Sequence, residues 1–162
     1  WYSIRWHHET TARAIEDAGF SLNRLPCFWY KKYGQTLKPD INLPSCYDSF
    51  FYARKGQPHL QKQGRSNVFE CKPVISTQKT HAIERPIQLM VDIFSTFVSS
   101  GISLLVPFAG SGNSLLAAGN LHMPCLGYDL VEDFKNEYKR KVLEGIPGFY
   151  LSPLIGDTPG VH

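Results

Sequence analysis

The stretch Leu104-Leu-Val-Pro-Phe-Ala-Gly-Ser-Gly-Asn-Ser-Leu-Leu-Ala-Ala118 constrains this chain more than any other. A short, continuously apolar strand over 102–106 turns through Gly110 and Gly112 into a small-residue helix over 113–119. Glycine lets the backbone adopt positive φ and approach a ligand closely, and a helix start offers unsatisfied N–H groups. A second short strand, 125–128, ends at Asp129, seventeen residues after Gly112. A carboxylate in that place can accept both hydroxyl hydrogens of a ribose. The pattern predicts an α/β fold with a nucleoside-bearing ligand at the turn.

Two ligand classes use such a turn, and the residues around it separate them. A dinucleotide fingerprint wants a third small residue, G-x-G-x-x-G/A, so that the helix packs close under a pyrophosphate. Position 115 is Leu, which disfavours a nicotinamide oxidoreductase. The spacing Phe108-x-Gly110-x-Gly112 suits a ligand with one nucleoside and no pyrophosphate.

The rest of the chain fills in an architecture. Pro86 stands well as a first helical residue, and Ile87, Met90, Val91, Phe94, Phe97 and Val98 follow at helical spacing up to Gly101. Residues 131–143 form a helix with a charged face. In the first half, Tyr2, Ile4 and Trp6 mark a strand, and Thr10 and Thr11 cap a helix over 12–18 that Gly19 closes. Aromatic strands over 20–31 and 46–54 predict a long antiparallel hairpin around a loop at 32–44. Residues 57–79, with two prolines and a glycine, read as an extended basic linker or lid, and 146–162 as a Gly/Pro-rich tail. The expected whole is a mixed sheet with the hairpin at one end.

Composition narrows the class. At 162 residues, 43% apolar and 19% charged, the chain is one globular domain with a real core. No apolar run approaches the ~20 residues of a membrane span. The four cysteines form no C-x-x-C pair, which argues against a zinc knuckle or redox dithiol and for reduced thiols in a cytosolic protein. His7-His8-Glu9 lacks the spacing of a helical zinc site, so no metal is expected. Between Lys31 and Lys79, nine Lys/Arg face three acids, a stretch of +6 in a chain of net +3. Such a basic middle suits a polyanion.

Pro107-Phe-Ala-Gly-Ser-Gly112 resembles the P-F-x-G-x-G motif of DNA amino-methyltransferases. These enzymes methylate adenine N6 or cytosine N4 with S-adenosylmethionine. His81-Ala-Ile-Glu-Arg-Pro-Ile-Gln-Leu89 is similar to the H-P-x-x-K-P-x-x-L segment ahead of that motif in the circularly permuted members. Upstream, Ala18-Gly-Phe20 followed by Phe28-Trp-Tyr-Lys31, and then Ser49–Gly56, resemble two further segments in family order. The resemblance covers roughly residues 1–145 and implies a Rossmann-like methyltransferase domain. It assigns Phe108, Ala109, Gly110, Ser111 and Gly112 to the cofactor loop and Asp129 to the ribose. His81, Glu84, Arg85 and Pro86 fall near the methionine end, and Trp29, Tyr30 and Lys31 near an extruded base, where a π-face can stack; the equal reading of Trp29 and Tyr30 is core aromatic.

Two positions depart from the family. Its Asp before P-F-x-G-x-G is Val106 here, and its catalytic tetrapeptide D/N/S-P-P-Y/F/W is absent, since no Pro-Pro occurs in the chain. In the permuted order that motif precedes the strand at Trp1 and its own strand lies mid-sheet. The chain is therefore expected to be the cofactor-binding, C-terminal part of such an enzyme, from a restriction–modification or phage setting, lacking a central strand. DNA and the missing N-terminal portion, or a complementary chain, are the expected partners. The alternative is a catalytically inactive methyltransferase-like module that binds nucleic acid or a partner subunit.

Overall fold

The computed structural model describes residues 7–75, 79, 83–99 and 101–144. The strand expected around Tyr2, Ile4 and Trp6, residue His81 and the tail over 146–162 lie outside the described residues. The chain divides into two compact units, Trp1–Lys72 and Pro73–His162.

The first unit opens with α1, His8–Asp17. It starts a turn before the threonines expected to cap it, because Glu9 favours the first turn and pairs with Arg13 one turn on at 2.9 Å. Its end is as the sequence implies. Gly19, at φ +79, donates to the Glu16 carbonyl while Phe20 donates to that of Ile15, a paired closure that needs a left-handed residue.

The aromatic run over 20–31 is two strands, not one: β1, Ser21–Leu22, and β2, Cys27–Gln35. Asn23 turns the chain between them by accepting the Leu25 N–H at 3.0 Å, and Pro26 keeps the break from pairing. β2 pairs antiparallel with β3, Ser45–Phe50, from Cys27↔Phe50 to Gln35↔Ser45 with a shift after Tyr30. β1 pairs likewise with β4, Ala53–Arg54. The expected hairpin is therefore present, and β2 runs on through four residues read as loop. Gly34 makes that extension feasible, since a Cβ there would collide with the Ser45 carbonyl.

The supposed linker holds a strand as well. β5, Val68–Glu70, lies parallel to β2 on its other side, giving the order β3-β2-β5 and a mixed sheet. Cys27, Trp29, Phe50 and Phe69 are its buried apolar side chains, and the Phe50 and Phe69 rings meet at 5.5 Å.

The second unit carries the glycine turn. Helix α2, Ile87–Phe97, follows Pro86, which caps the helix rather than entering it. It buries Leu89, Ile93 and Thr96 as well as Ile87 and Met90, so its covered face is wider than the apolar spacing suggests. α2 packs on α3, Asn113–Asn120, whose buried Ala117 and Ala118 allow close approach. β6, Leu104–Val106, and β7, Cys125–Gly127, flank α3 in sequence and pair parallel, Leu104↔Cys125 to Val106↔Gly127. The chain closes with α4, Glu132–Glu144. The strands were expected to be buried, yet the paired Leu105 and Leu126 are 59% and 55% exposed, because only one face of this two-stranded ladder is covered.

Among the described residues the strands form three hydrogen-bonded sheets, β1-β4, β3-β2-β5 and β6-β7, where a mixed sheet lacking a central strand was expected. None of the other described segments pairs with the β6-β7 ladder. No described helix is long and apolar enough to cross a membrane.

Candidate cofactor site

The turn after β6 is built by its glycines. Gly112 donates to the Ala109 carbonyl at 3.0 Å, closing a four-residue turn with Gly110 at φ +52. Gly112 itself has φ +77 and lies under the Tyr138 ring of α4, so a Cβ there would sit 2.5–2.9 Å from ring atoms. Both its conformation and its surroundings demand glycine. A third close approach, which dinucleotide sites obtain from a small residue on the helix, is arranged differently here. Leu115 lies against Gly127 of β7, where a Cβ would come within 2.7 Å of the leucine methyl. The small residue is on the strand and the large one on the helix.

Asp129, just beyond β7, binds this turn. Its Oδ2 accepts the Gly110 N–H at 2.7 Å and its Oδ1 the Val131 N–H at 3.1 Å. A cavity of about 250 Å³ is lined by Arg85, Phe108, Ser111, Asn113, Ser114 and Asp129, among others. A larger one, about 560 Å³, is walled by Leu126, Tyr128, Leu130, Val131 and Phe134 and rimmed by Lys135 and Lys139. Both are lined by Ala109, Gly110 and Asp129. The smaller is of mixed polar and apolar lining and the larger mainly apolar, with the carboxylate common to both. Burial pushes the Tyr138 phenol and the Cys125 thiol above their ordinary values, so neither adds charge to the larger cavity near neutral pH.

Most of the residues expected here converge. Phe108 is 86% exposed and lines the smaller cavity with Ala109, Gly110, Ser111 and Arg85. Glu84 and Pro86 do not line it. Pro86 is buried at the start of α2, and Glu84 is committed elsewhere, its side chain 4% exposed and its Oε1 bonded to Lys141 and Asn113. Glu84 is thus a buried carboxylate answering a buried ammonium behind the turn.

Trp29, Tyr30 and Lys31 lie on β2, in the first unit. Trp29 is 3% exposed, donates its indole N–H to the Cys71 carbonyl at 2.8 Å and has the Lys31 ammonium 4.8 Å from its ring centre. Its ring packs in the core of the first unit. Lys31 is itself paired with Asp48 at 2.8 Å.

Sequence reasoning missed Asn113, Tyr138 and Lys141. A signal was present. Phe134, Tyr138 and Lys141 fall at spacings of four and three, one face of α4, so the lysine occupies an inward position where an apolar residue would be routine. Among the described residues, no group of His, Cys, Asp and Glu is placed to hold a metal ion.

No family model matches this chain, and no curated protein does. Solved structures do. The complex of M1.HpyAVI with SAM superposes with a TM-score of 0.76 at 20% identity, over 87% of this chain and 71% of that one. The cytosine-N4-specific PvuII DNA methyltransferase gives 0.64 at 14% identity, over 85% and 63%. A DNA modification methylase from Thermus thermophilus, TTHA0409, complexed with S-adenosyl-L-methionine, gives 0.63 at 21% identity, over 88% and 61%. The chain has a methyltransferase fold. It spans between 61% and 71% of the length of these three structures.

Proposed function

We propose that this chain is the cofactor-binding part of a DNA amino-methyltransferase that transfers the methyl group of S-adenosylmethionine to adenine N6 or cytosine N4. The observation that carries the reading is the Asp129 carboxylate, bound to Gly110 at 2.7 Å and common to a cavity of mixed lining and a mainly apolar one. That arrangement suits a ligand with a ribose between a charged amino-acid end and a flat base. Asp129 would take the ribose hydroxyls, Leu130, Val131 and Phe134 would flank the adenine, and Arg85 would face the methionine carboxylate. When bound, the cofactor supplies a sulfonium methyl open to attack by an amine. The chain's own part is to bind and orient, since no D/N/S-P-P-Y/F/W segment is present to hold the amine.

Similarity to the cytosine-N4-specific PvuII enzyme and to structures complexed with S-adenosylmethionine supports this reading over a nicotinamide enzyme. The basic stretch between Lys31 and Lys79 supports DNA as the substrate through salt-dependent phosphate contacts. The amine-holding segment would come from an N-terminal portion or a complementary chain. A cytoplasmic or nucleoid-associated enzyme of restriction–modification or phage origin fits this substrate. Val106, where the family has Asp, and the absent tetrapeptide favour a second reading, an inactive module that binds nucleic acid or a partner.

The test is calorimetric titration of S-adenosylmethionine and, separately, NAD into the chain. Saturable binding of the first alone is expected. Preference for NAD, or binding of neither, overturns the cofactor assignment.

A further inference from the structure

Lys141 of α4 reaches the back of the glycine turn. Its Nζ donates to Glu84 Oε1 at 3.0 Å, to the Ser111 carbonyl at 3.1 Å and to Asn113 Oδ1 at 3.1 Å, which uses all three of its N–H groups. Asn113 then donates its amide to Glu84 Oε1 and to the Arg85 carbonyl, both at 2.8 Å. The Lys141 and Glu84 side chains are 7% and 4% exposed. One buried cation thus joins α4, the glycine turn, the start of α3 and the segment ahead of α2.

Stability is a poor reason for such an arrangement. Desolvating two charges costs about as much as their attraction returns, and apolar side chains of similar volume often serve as well. The ammonium also lies by the start of α3, where the helix dipole is positive and favours an anion. What a lysine does here that an apolar residue cannot is hold the Ser111 carbonyl. That carbonyl belongs to the peptide whose N–H, on Gly112, closes the turn onto Ala109. With Lys141 on its oxygen and Ala109 on its hydrogen, the peptide plane cannot rotate. Glu84 and Asn113 extend the same anchor to Arg85, across the smaller cavity's wall.

We propose that Lys141 is a positioning residue that, through Ser111, Asn113 and Glu84, holds the Gly110–Gly112 turn in its ligand-receiving shape. The effect on cofactor binding rests on the reading of this turn as an S-adenosylmethionine site; the effect on the turn does not. Two variants test it, Lys141→Met and the double variant Lys141→Met with Glu84→Leu, which leaves no unpaired buried charge. Amide hydrogen exchange is followed at Gly110–Gly112 and, as an internal reference, along the β2–β3 ladder. In the double variant the ladder should exchange as in the unmodified chain, while the Gly112 amide exchanges at least about tenfold faster, the equivalent of one lost charge-assisted hydrogen bond. S-adenosylmethionine affinity, measured on the same folded samples, should fall about tenfold.

An unchanged Gly112 amide in the folded double variant overturns the proposal. So does global unfolding of that variant, since the network would then be holding the fold and not the turn. If the unmodified chain does not bind S-adenosylmethionine but the exchange result holds, the cofactor reading fails and the positioning role stands.

Discussion

The carboxylate of Asp129 accepts the backbone N–H of Gly110 at 2.7 Å, tying the residue that follows β7 to the turn that follows β6. Its second oxygen takes the Val131 N–H at 3.1 Å. A carboxylate can accept about four hydrogen bonds, so these two orient it without exhausting it. The acid is held in place by the chain's own backbone, which would lower the ordering cost of binding a ligand there.

Asp129→Ala should weaken S-adenosylmethionine binding by about 1.5–3 kcal/mol, the worth of hydrogen bonds to a charged group. Asp129→Asn, which keeps an acceptor for one of the two amides, should lose less. Titration calorimetry ranks the two, and equal losses would show that charge alone matters there.

Gly112→Ala should destabilise the second unit. A left-handed φ costs an alanine about 1–2 kcal/mol, and the new methyl would also meet the Tyr138 ring at 2.5–2.9 Å. Placing Gly112→Ala in a Tyr138→Ala background should remove the clash with the ring and leave the conformational part, together with the contact to the Cβ of residue 138 at 2.9 Å. Denaturant unfolding of the four proteins in that cycle gives both; a strictly additive cycle would mean the ring simply moves aside.

The 162-residue chain should transfer no methyl group to DNA, because nothing in its sequence holds an amine in line with the sulfonium. Orientation of that kind contributes roughly 7–11 kcal/mol to lowering a barrier. Supplying a portion with D/N/S-P-P-Y/F/W, in cis or as a second chain, should restore transfer. Tritiated methyl incorporation measures this, and robust incorporation by the chain alone would falsify the assignment of the missing motif.

Acid should loosen the contact between α1 and the segment after β1. Arg24 hydrogen-bonds Glu16 at 2.6 Å and holds its carboxyl below the ordinary value of 4.5; Arg13, then Arg24, do the same for Glu9. A carboxyl depressed in the fold stabilises it above the unfolded value and loses that effect as pH falls through the folded one. The groups are exposed, so the effect on stability is small. Carbon-13 titration should place the Glu16 midpoint under 4.5, and Arg24→Ala should return it toward 4.5. An unchanged midpoint would mean the pair does not persist in solution.

What the sequence by itself determined was local. Two glycines, a short apolar run before them and an acid at the next strand end are properties of neighbouring residues, and Gly110, Gly112 and Asp129 come together as their spacing implies. Gly19 closes α1 for the same reason. Tertiary structure decided whatever depends on a distant partner. β5 has only three residues and little periodicity, and it is a strand because β2, some forty positions earlier, offers it a parallel edge. Trp29 reads equally as a stacking platform or as core until Cys71 and Lys31 are seen against it. Lys141 and Glu84 stand 57 positions apart, and nothing in the sequence pairs them. Only packing takes both out of water, and once out of water they must find each other, because a lone buried charge costs several kcal/mol.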